Sequence, residues 1–411
     1  TRVIGPDEIP ALLGRNTNYL NYVVSDTLIY VFLTNRKFKR LLAIPADSGF
    51  FNSVRRFRKL LSIPKPGSNA KNDFFQYQLD GIRLYKTLIE PVKKYIISDK
   101  LLISSDNILS YIPFEIIPVK VSQGEDLIYS EIPYLMDEFR ISYTYSATVL
   151  AESARKGKGF SNSAVAFAPV YTGRINIDSL MFIRQVGLSN IQDLPFARQE
   201  AEFVSRITRG KLFKNHEATE ATFKAVAGKF DIIHLAMHTV LNDNFPMYSK
   251  MLFYQGLDSI EDGSLNTYEV YDIPLKAKMV ILSSCNTGSG SLNSGEGILS
   301  LARGFIYSGS QSVVMSMWEI EDRTGTEIIK SFYKYLKRGN SKSSALRKAR
   351  MDFLEHTDML RAHPYFWATL VIYGNDAPLY RSRKTILLSC LLISIIAIAL
   401  FIYYYRFRKL R

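Results

Sequence analysis

Asp231-Ile232-Ile233-His234-Leu235-Ala236-Met237-His238-Thr239 and, 47 positions further on, Lys278-Met279-Val280-Ile281-Leu282-Ser283-Ser284-Cys285-Asn286 decide the fold. Each begins as a nearly continuous apolar run that is short for a helix and rich in β-branched residues. Such runs predict central strands of a parallel sheet, buried on both faces. Each then breaks into polar residues, and in open α/β sheets ligands bind beyond the carboxyl ends of the strands. An imidazole and a thiol at the tips of adjacent parallel strands would lie within reach of one another. That pairing predicts a thiol–imidazole dyad: His238 as base, Cys285 as thiolate nucleophile, and backbone N–H groups of Thr239 and Cys285 as an oxyanion hole. The competing reading of Cys285 is a buried, inert small hydrophobe. The small and glycine residues from Asn286 to Gly297 favour the first, because they leave room for a substrate backbone.

Outward from these strands the pattern alternates. Further strands are predicted at 164–168, 251–254, 312–317 and 368–372, with helices at 195–208, 219–227, 297–307, 323–337 and 341–354. Upstream, strands at 19–24, 28–34 and 38–44 read as a meander. Part of a helix follows at 55–61, then a helix over 74–95 and a strand at 100–104. The fold class is therefore α/β with a central, mostly parallel sheet. One α/β unit ends near Leu150, and Arg155-Lys156-Gly157-Lys158-Gly159 reads as a linker before the second.

Other chemistries are weaker. His234 and His238 share a four-residue spacing but stand on a strand without the glutamate of a zinc helix, so no metal is expected and His234 reads as structural. The glycines after Cys285 lack the Lys-Ser/Thr of a phosphate loop, and no Gly-x-Ser-x-Gly elbow is present. Trp318-Glu319-Ile320-Glu321-Asp322 forms a third strand tip bearing carboxylates. Glu321 and Asp322 either line a pocket for a basic side chain or simply start the next helix, where acids suit the dipole.

The composition excludes disorder: hydrophobic residues make up 47% and aromatics 13% of 411 residues. With two cysteines, Cys285 and Cys390, it also excludes a disulfide framework. The formal charge is +14. Seven of those positives, from Arg381 to Arg411, flank an uncharged run over 385–405. That run predicts a single C-terminal transmembrane helix followed by a basic tail at 406–411, with the side of the membrane undetermined. The runs 36–40 and 55–59 read as solvated basic faces, and no nucleic acid is expected. The chain opens on Thr1 with no signal peptide, which reads as a chain lacking an upstream portion.

These blocks, in this order, resemble the CHAT family of caspase-like cysteine peptidases, which is related to separases and often follows tetratricopeptide repeats. The resemblance runs from about Ile9 to Asn375. It rests on Ser110-Tyr111-Ile112-Pro113-Phe114-Glu115, Ser146-Ala147-Thr148, 194–202, 231–239, 280–288, 295–306 and Phe366-Trp367-Ala368. It implies a caspase-like (caspase/haemoglobinase) fold in two halves: a pseudo-caspase half at 1–154, a linker at 155–163 and an active half at 164–380. It places the catalytic pair on His238 and Cys285 and a pocket for an arginine side chain on Asp322, with Glu321 and Trp318 beside it. The implied protein is a membrane-anchored cysteine endopeptidase without a cofactor, cleaving partner proteins and regulated by upstream repeats. The family usually has glycine after the catalytic histidine, where this chain has Thr239. That departure keeps a second reading open, a catalytically weak or inactive interaction module.

Overall fold

The computed structural model describes residues 3–14, 16–61, 70–122, 128–155, 162–171, 193–242, 245–255, 261–283, 292–293, 297–298, 301–318, 321–381 and 396–400. Strands in chain order are β1 (Asn18–Val24), β2 (Leu28–Thr34), β3 (Lys39–Pro45), β4 (Lys100–Ser104), β5 (Arg140–Tyr143), β6 (Ala164–Pro169), β7 (Lys211–Asn215) and β8 (Ile232–Leu235). There follow β9 (Thr239–Val240), β10 (Lys250–Leu252), β11 (Ser264–Asn266), β12 (Met279–Leu282), β13 (Leu292–Asn293), β14 (Gly297–Ile298), β15 (Ser312–Ser316) and β16 (Leu370–Gly374). Eleven of them form one sheet in the order β3-β2-β1-β4-β5-β16-β15-β12-β8-β6-β7. The meander β1–β2–β3 is antiparallel, as is β15 with β16, whereas β1/β4, β4/β5, β15/β12, β12/β8, β8/β6 and β6/β7 run parallel.

Burial follows the sequence pattern. β8, β12, β15 and β16 are buried at every residue, while the edge strand β3 is largely exposed and carries Lys39 and Arg40. An edge row of lysine and arginine discourages pairing with another chain. Helices cover the sheet, and several of them start on side-chain caps. Asp47 accepts from the Phe50 N–H ahead of Ser48–Leu60, Glu321 from Thr324 ahead of Asp322–Lys337, and Ser341 from Ser344 ahead of Lys342–His356.

The first and second halves meet where β5 pairs β16 through Tyr143 and Tyr373, whose rings stack at 5.4 Å. Behind this seam the Tyr143 hydroxyl donates to Glu115 Oε2 at 2.5 Å, and Arg350 Nη1 lies 3.2 Å from Glu115 Oε1. Arg350 also donates to the Leu370 carbonyl. A fully buried arginine, a carboxylate and a tyrosine thus bind the two halves behind the sheet.

Several expectations are corrected. Among the described residues no helix is long and apolar enough to cross a membrane, which overturns the transmembrane helix at 385–405 and with it the membrane localisation and the bilayer as partner. Within that stretch residues 396–400 are among those described. The 74–95 helix divides into Ala70–Leu88 and Glu90–Lys93, because Pro91 has no N–H to continue the ladder. The 251–254 strand leaves the main sheet for a three-stranded one, β9–β10–β11. The last strand lies two residues later than the pattern predicts, at Leu370–Gly374. Most of the expected linker, 156–161, lies outside the described residues.

Candidate active site

β8 and β12 lie side by side in register, Ile232 opposite Met279 through Leu235 opposite Leu282. The register offset is therefore 47, the same interval that separates His238 from Cys285. The Ser283 N–H still bonds to the Leu235 carbonyl at 3.0 Å. Cys285 itself lies outside the described residues.

His238 is described and partly exposed, just past the buried Ala236 and Met237. Its main chain is clamped on both sides. The N–H donates to Tyr171 Oη at 3.0 Å, and the carbonyl accepts from the Leu252 N–H at 2.9 Å. Tyr171 Oη in turn donates to the Leu252 carbonyl at 2.7 Å, and its ring lies 4.8 Å from the imidazole, tilted by 59°. One phenol from beyond the tip of β6 therefore fixes the exit of β8 against β10. Tyr171 escaped the sequence reading. The signal that would have found it is its place two residues beyond β6, a third strand tip on the same edge of the sheet.

Thr239 faces Met251 across β9 and β10. Because the ladder bond runs from Leu252 to His238, Thr239 and Met251 form a non-hydrogen-bonded pair, and the Thr239 N–H is turned away from β10. Among the described residues the buried Thr239 hydroxyl has no hydrogen-bond partner.

The carboxylates expected in a specificity pocket are also described. Asp322 Oδ2 accepts the Phe196 N–H at 3.2 Å, at the start of helix Pro195–Thr208. Burial pushes its carboxyl up to about 6, against the pull of that N–H, and the nearby Glu200 and Glu321 add to the rise. Glu321 accepts from both the N–H and the hydroxyl of Thr324 as the cap of its own helix. Trp318 is packed inward: its Nε1 donates to the Tyr365 carbonyl at 2.8 Å, and the Arg58 guanidinium lies 5.4 Å from its ring centroid. His234 is fully buried on β8, with Nε2 at 2.9 Å from Glu200 Oε1 and Tyr333 Oη 3.4 Å from Nδ1. The other carboxylate cluster, Glu220, Glu261 and Glu269, surrounds the Lys224 ammonium at 2.7–2.8 Å, so a side-chain cation sits where a metal ion would.

The CHAT domain pattern matches residues 78–375. The chain belongs to the CHAT family. Its curated relatives include tetratricopeptide repeat protein 28 of Homo sapiens, 24% identical over 354 residues, which covers 78% of this chain and 14% of that protein. The Mus musculus counterpart is 24% identical over 217 residues, covering 45% of this chain and 9% of that protein. The CHAT chain thus spans about a seventh or less of the length of these relatives. Among solved structures, the Saccharomyces cerevisiae separase–securin complex at 3.0 Å matches with a TM-score of 0.53 at 11% identity, covering 90% of this chain and 30% of that chain. That likeness shows a fold shared with separase: a mixed α/β architecture around a large, mostly parallel sheet.

Proposed function

We propose that this CHAT chain is a cysteine endopeptidase acting through His238 and Cys285. The observation that carries the reading is the β8/β12 register, whose offset equals the separation of the two residues, with the imidazole partly exposed at the tip of β8. Chain connectivity supports it as well, since Cys285 follows Ser283 by two residues and so lies within about 7 Å of it, Cα to Cα.

The chemistry follows from these groups. His238 takes the proton of the Cys285 thiol, and the thiolate attacks the scissile carbonyl carbon, forming a C–S bond. The oxyanion is received by the N–H groups of Thr239 and Cys285, the first of which is not spent in the β9–β10 ladder. The imidazolium protonates the leaving amine as the C–N bond breaks. Water, deprotonated by His238, then hydrolyses the thioester and regenerates the thiol. The Tyr171 clamp on the His238 main chain supports this role, because a base must be held within hydrogen-bond reach. Relatives named for tetratricopeptide repeats support repeats as the regulatory partner. Asp322, with Glu321 and Trp318 beside it, is proposed to favour Arg or Lys before the cut.

Mapping of new protein N-termini generated by the wild type against Cys285→Ala and His238→Ala tests this directly. Cleavages after Arg or Lys that vanish in both variants are expected. Cleavage that persists in Cys285→Ala would sink the dyad, and acidic or apolar preference at an intact dyad would sink only the Asp322 assignment.

A further inference from the structure

At the end of the sheet away from His238, a cavity of about 200 Å³ lies where the N-terminal segment, β4, β5 and the residues after β16 meet. The peptidase chemistry makes no use of it. Its apolar wall includes Leu13, Leu102 and Leu150, and its polar side includes Lys100, Ser142 and Asp376. Ser142 is fully buried, yet among the described residues its hydroxyl has no hydrogen-bond partner. A hydroxyl stripped of water and left unpaired is destabilising, and folded proteins keep few such groups. This one lines a space large enough to hold a partner for it.

The charge around the cavity points to the kind of partner. Lys100 Nζ lies 2.9 Å from Asp376 Oδ2, and its side chain keeps 24% of its surface exposed. Asp376 also receives the Ser343 N–H at 2.6 Å. A second ammonium, on the buried Lys342, donates to the carbonyls of Asn375 and Ala377. Burial, with Lys100 and Lys278 nearby, holds Lys342 down to about 8 against the pull of Asp376. Lys278 has its own carboxylate in Asp231, at 3.4 Å. Lys100 and Lys342 thus share one carboxylate, Asp376; Lys100 lines the cavity and Lys342 stands behind the lining, so around its polar side the two ammonium groups outnumber the carboxylate between them.

We propose that this cavity binds a small amphipathic carboxylate. Its carboxylate accepts from Ser142 Oγ–H and from Lys100, and its hydrocarbon lies against the leucines. An apolar pocket with a few convergent polar groups is the usual form of a small-molecule site. A cavity of about 150 Å³ holds benzene, so this one has room for roughly eight non-hydrogen atoms. The ligand would touch β4, β5 and the segment leaving β16, and therefore both sides of the seam.

Isothermal titration of the full chain with sodium hexanoate at pH 7 tests the site. Expected are one hexanoate bound per chain, about tenfold weaker binding in Ser142→Ala, none in Leu102→Trp, and at least tenfold weaker binding of 1-hexanol. Ser142→Ala removes only an unpaired hydroxyl, so the variant retains the fold, and its melting curve checks that. No hexanoate binding to the wild type overturns the proposal, as does equal affinity in Ser142→Ala or equal affinity for 1-hexanol.

Discussion

Tyr171 shows how much of a site can depend on a single hydroxyl. Its oxygen accepts from His238 and donates to Leu252, so Tyr171→Phe leaves a main-chain N–H and a carbonyl unpaired at the exit of β8. Stability should fall by about 1–3 kcal/mol in chemical denaturation. If His238 is the base, kcat should fall further than KM changes, because the loss is one of positioning. Two other residues set pH dependence of opposite sign. Asp322 keeps its proton up to about 6 in the fold against 3.8 in the unfolded chain, so its contribution to stability falls as pH rises through that window. His363 is desolvated and held down to about 4 from 6.5, with Nδ1 accepting the Tyr365 N–H, so its contribution grows over an overlapping range. Asp322→Asn keeps an acceptor for Phe196, and its melting temperature should rise relative to wild type between pH 4 and 6. His363→Asn should remove this rising contribution, so its melting temperature should fall relative to wild type as pH rises from 4 to 6.5. Thermal melts across this range separate the two. The place of His238 past the end of a buried strand was legible from sequence, because a strand tip is visible as the end of an apolar run. Tyr171 was not, because it works through main-chain groups of segments distant in sequence.

At the scale of elements, the three-stranded sheet that follows His238 is held from outside by a charge cluster. Lys224 on helix Glu220–Val226 donates to Glu220 of its own helix, to Glu261 before β11 and to Glu269 after it. Burial raises the Glu220 carboxyl to about 7 despite Lys224, with Glu269 and Glu261 pushing the same way. Lys224→Met leaves three carboxylates facing one another. It should cost about 2–3 kcal/mol at pH 8 and less at pH 5, where Glu220 is protonated, as denaturant melts at the two pH values would show. Equal losses at both pH values would remove the electrostatic explanation. Strands and helices whose patterning was strong were read correctly, such as β4 at 100–104 and the helix at 195–208. The four-residue β5 and the lysine-bearing edge strand β7 were missed. Their burial is decided by neighbours in the sheet and leaves little periodicity in so short a stretch.

At the scale of the whole molecule, the order of strands could not be read from sequence, because it depends on pairings between residues some 230 positions apart, such as Tyr143 with Tyr373. What joins the halves is the seam, and the seam makes a prediction. Arg350 is buried against Glu115, which also accepts from the Tyr143 hydroxyl, so Arg350→Met leaves a carboxylate without its cation inside the protein. Breaking a buried pair from one side costs about 3–5 kcal/mol, whereas replacing both partners by apolar groups removes the stranded charge. Arg350→Met should therefore lower stability by about that amount, and Arg350→Met with Glu115→Leu should recover a large part of it. Because the β5/β16 pairing and the stacked Tyr143 and Tyr373 rings remain in both variants, each should still melt in a single transition by circular dichroism and by tyrosine fluorescence. A double variant no more stable than the single one would mean that the stranded Glu115 carboxylate is not the cause of the loss.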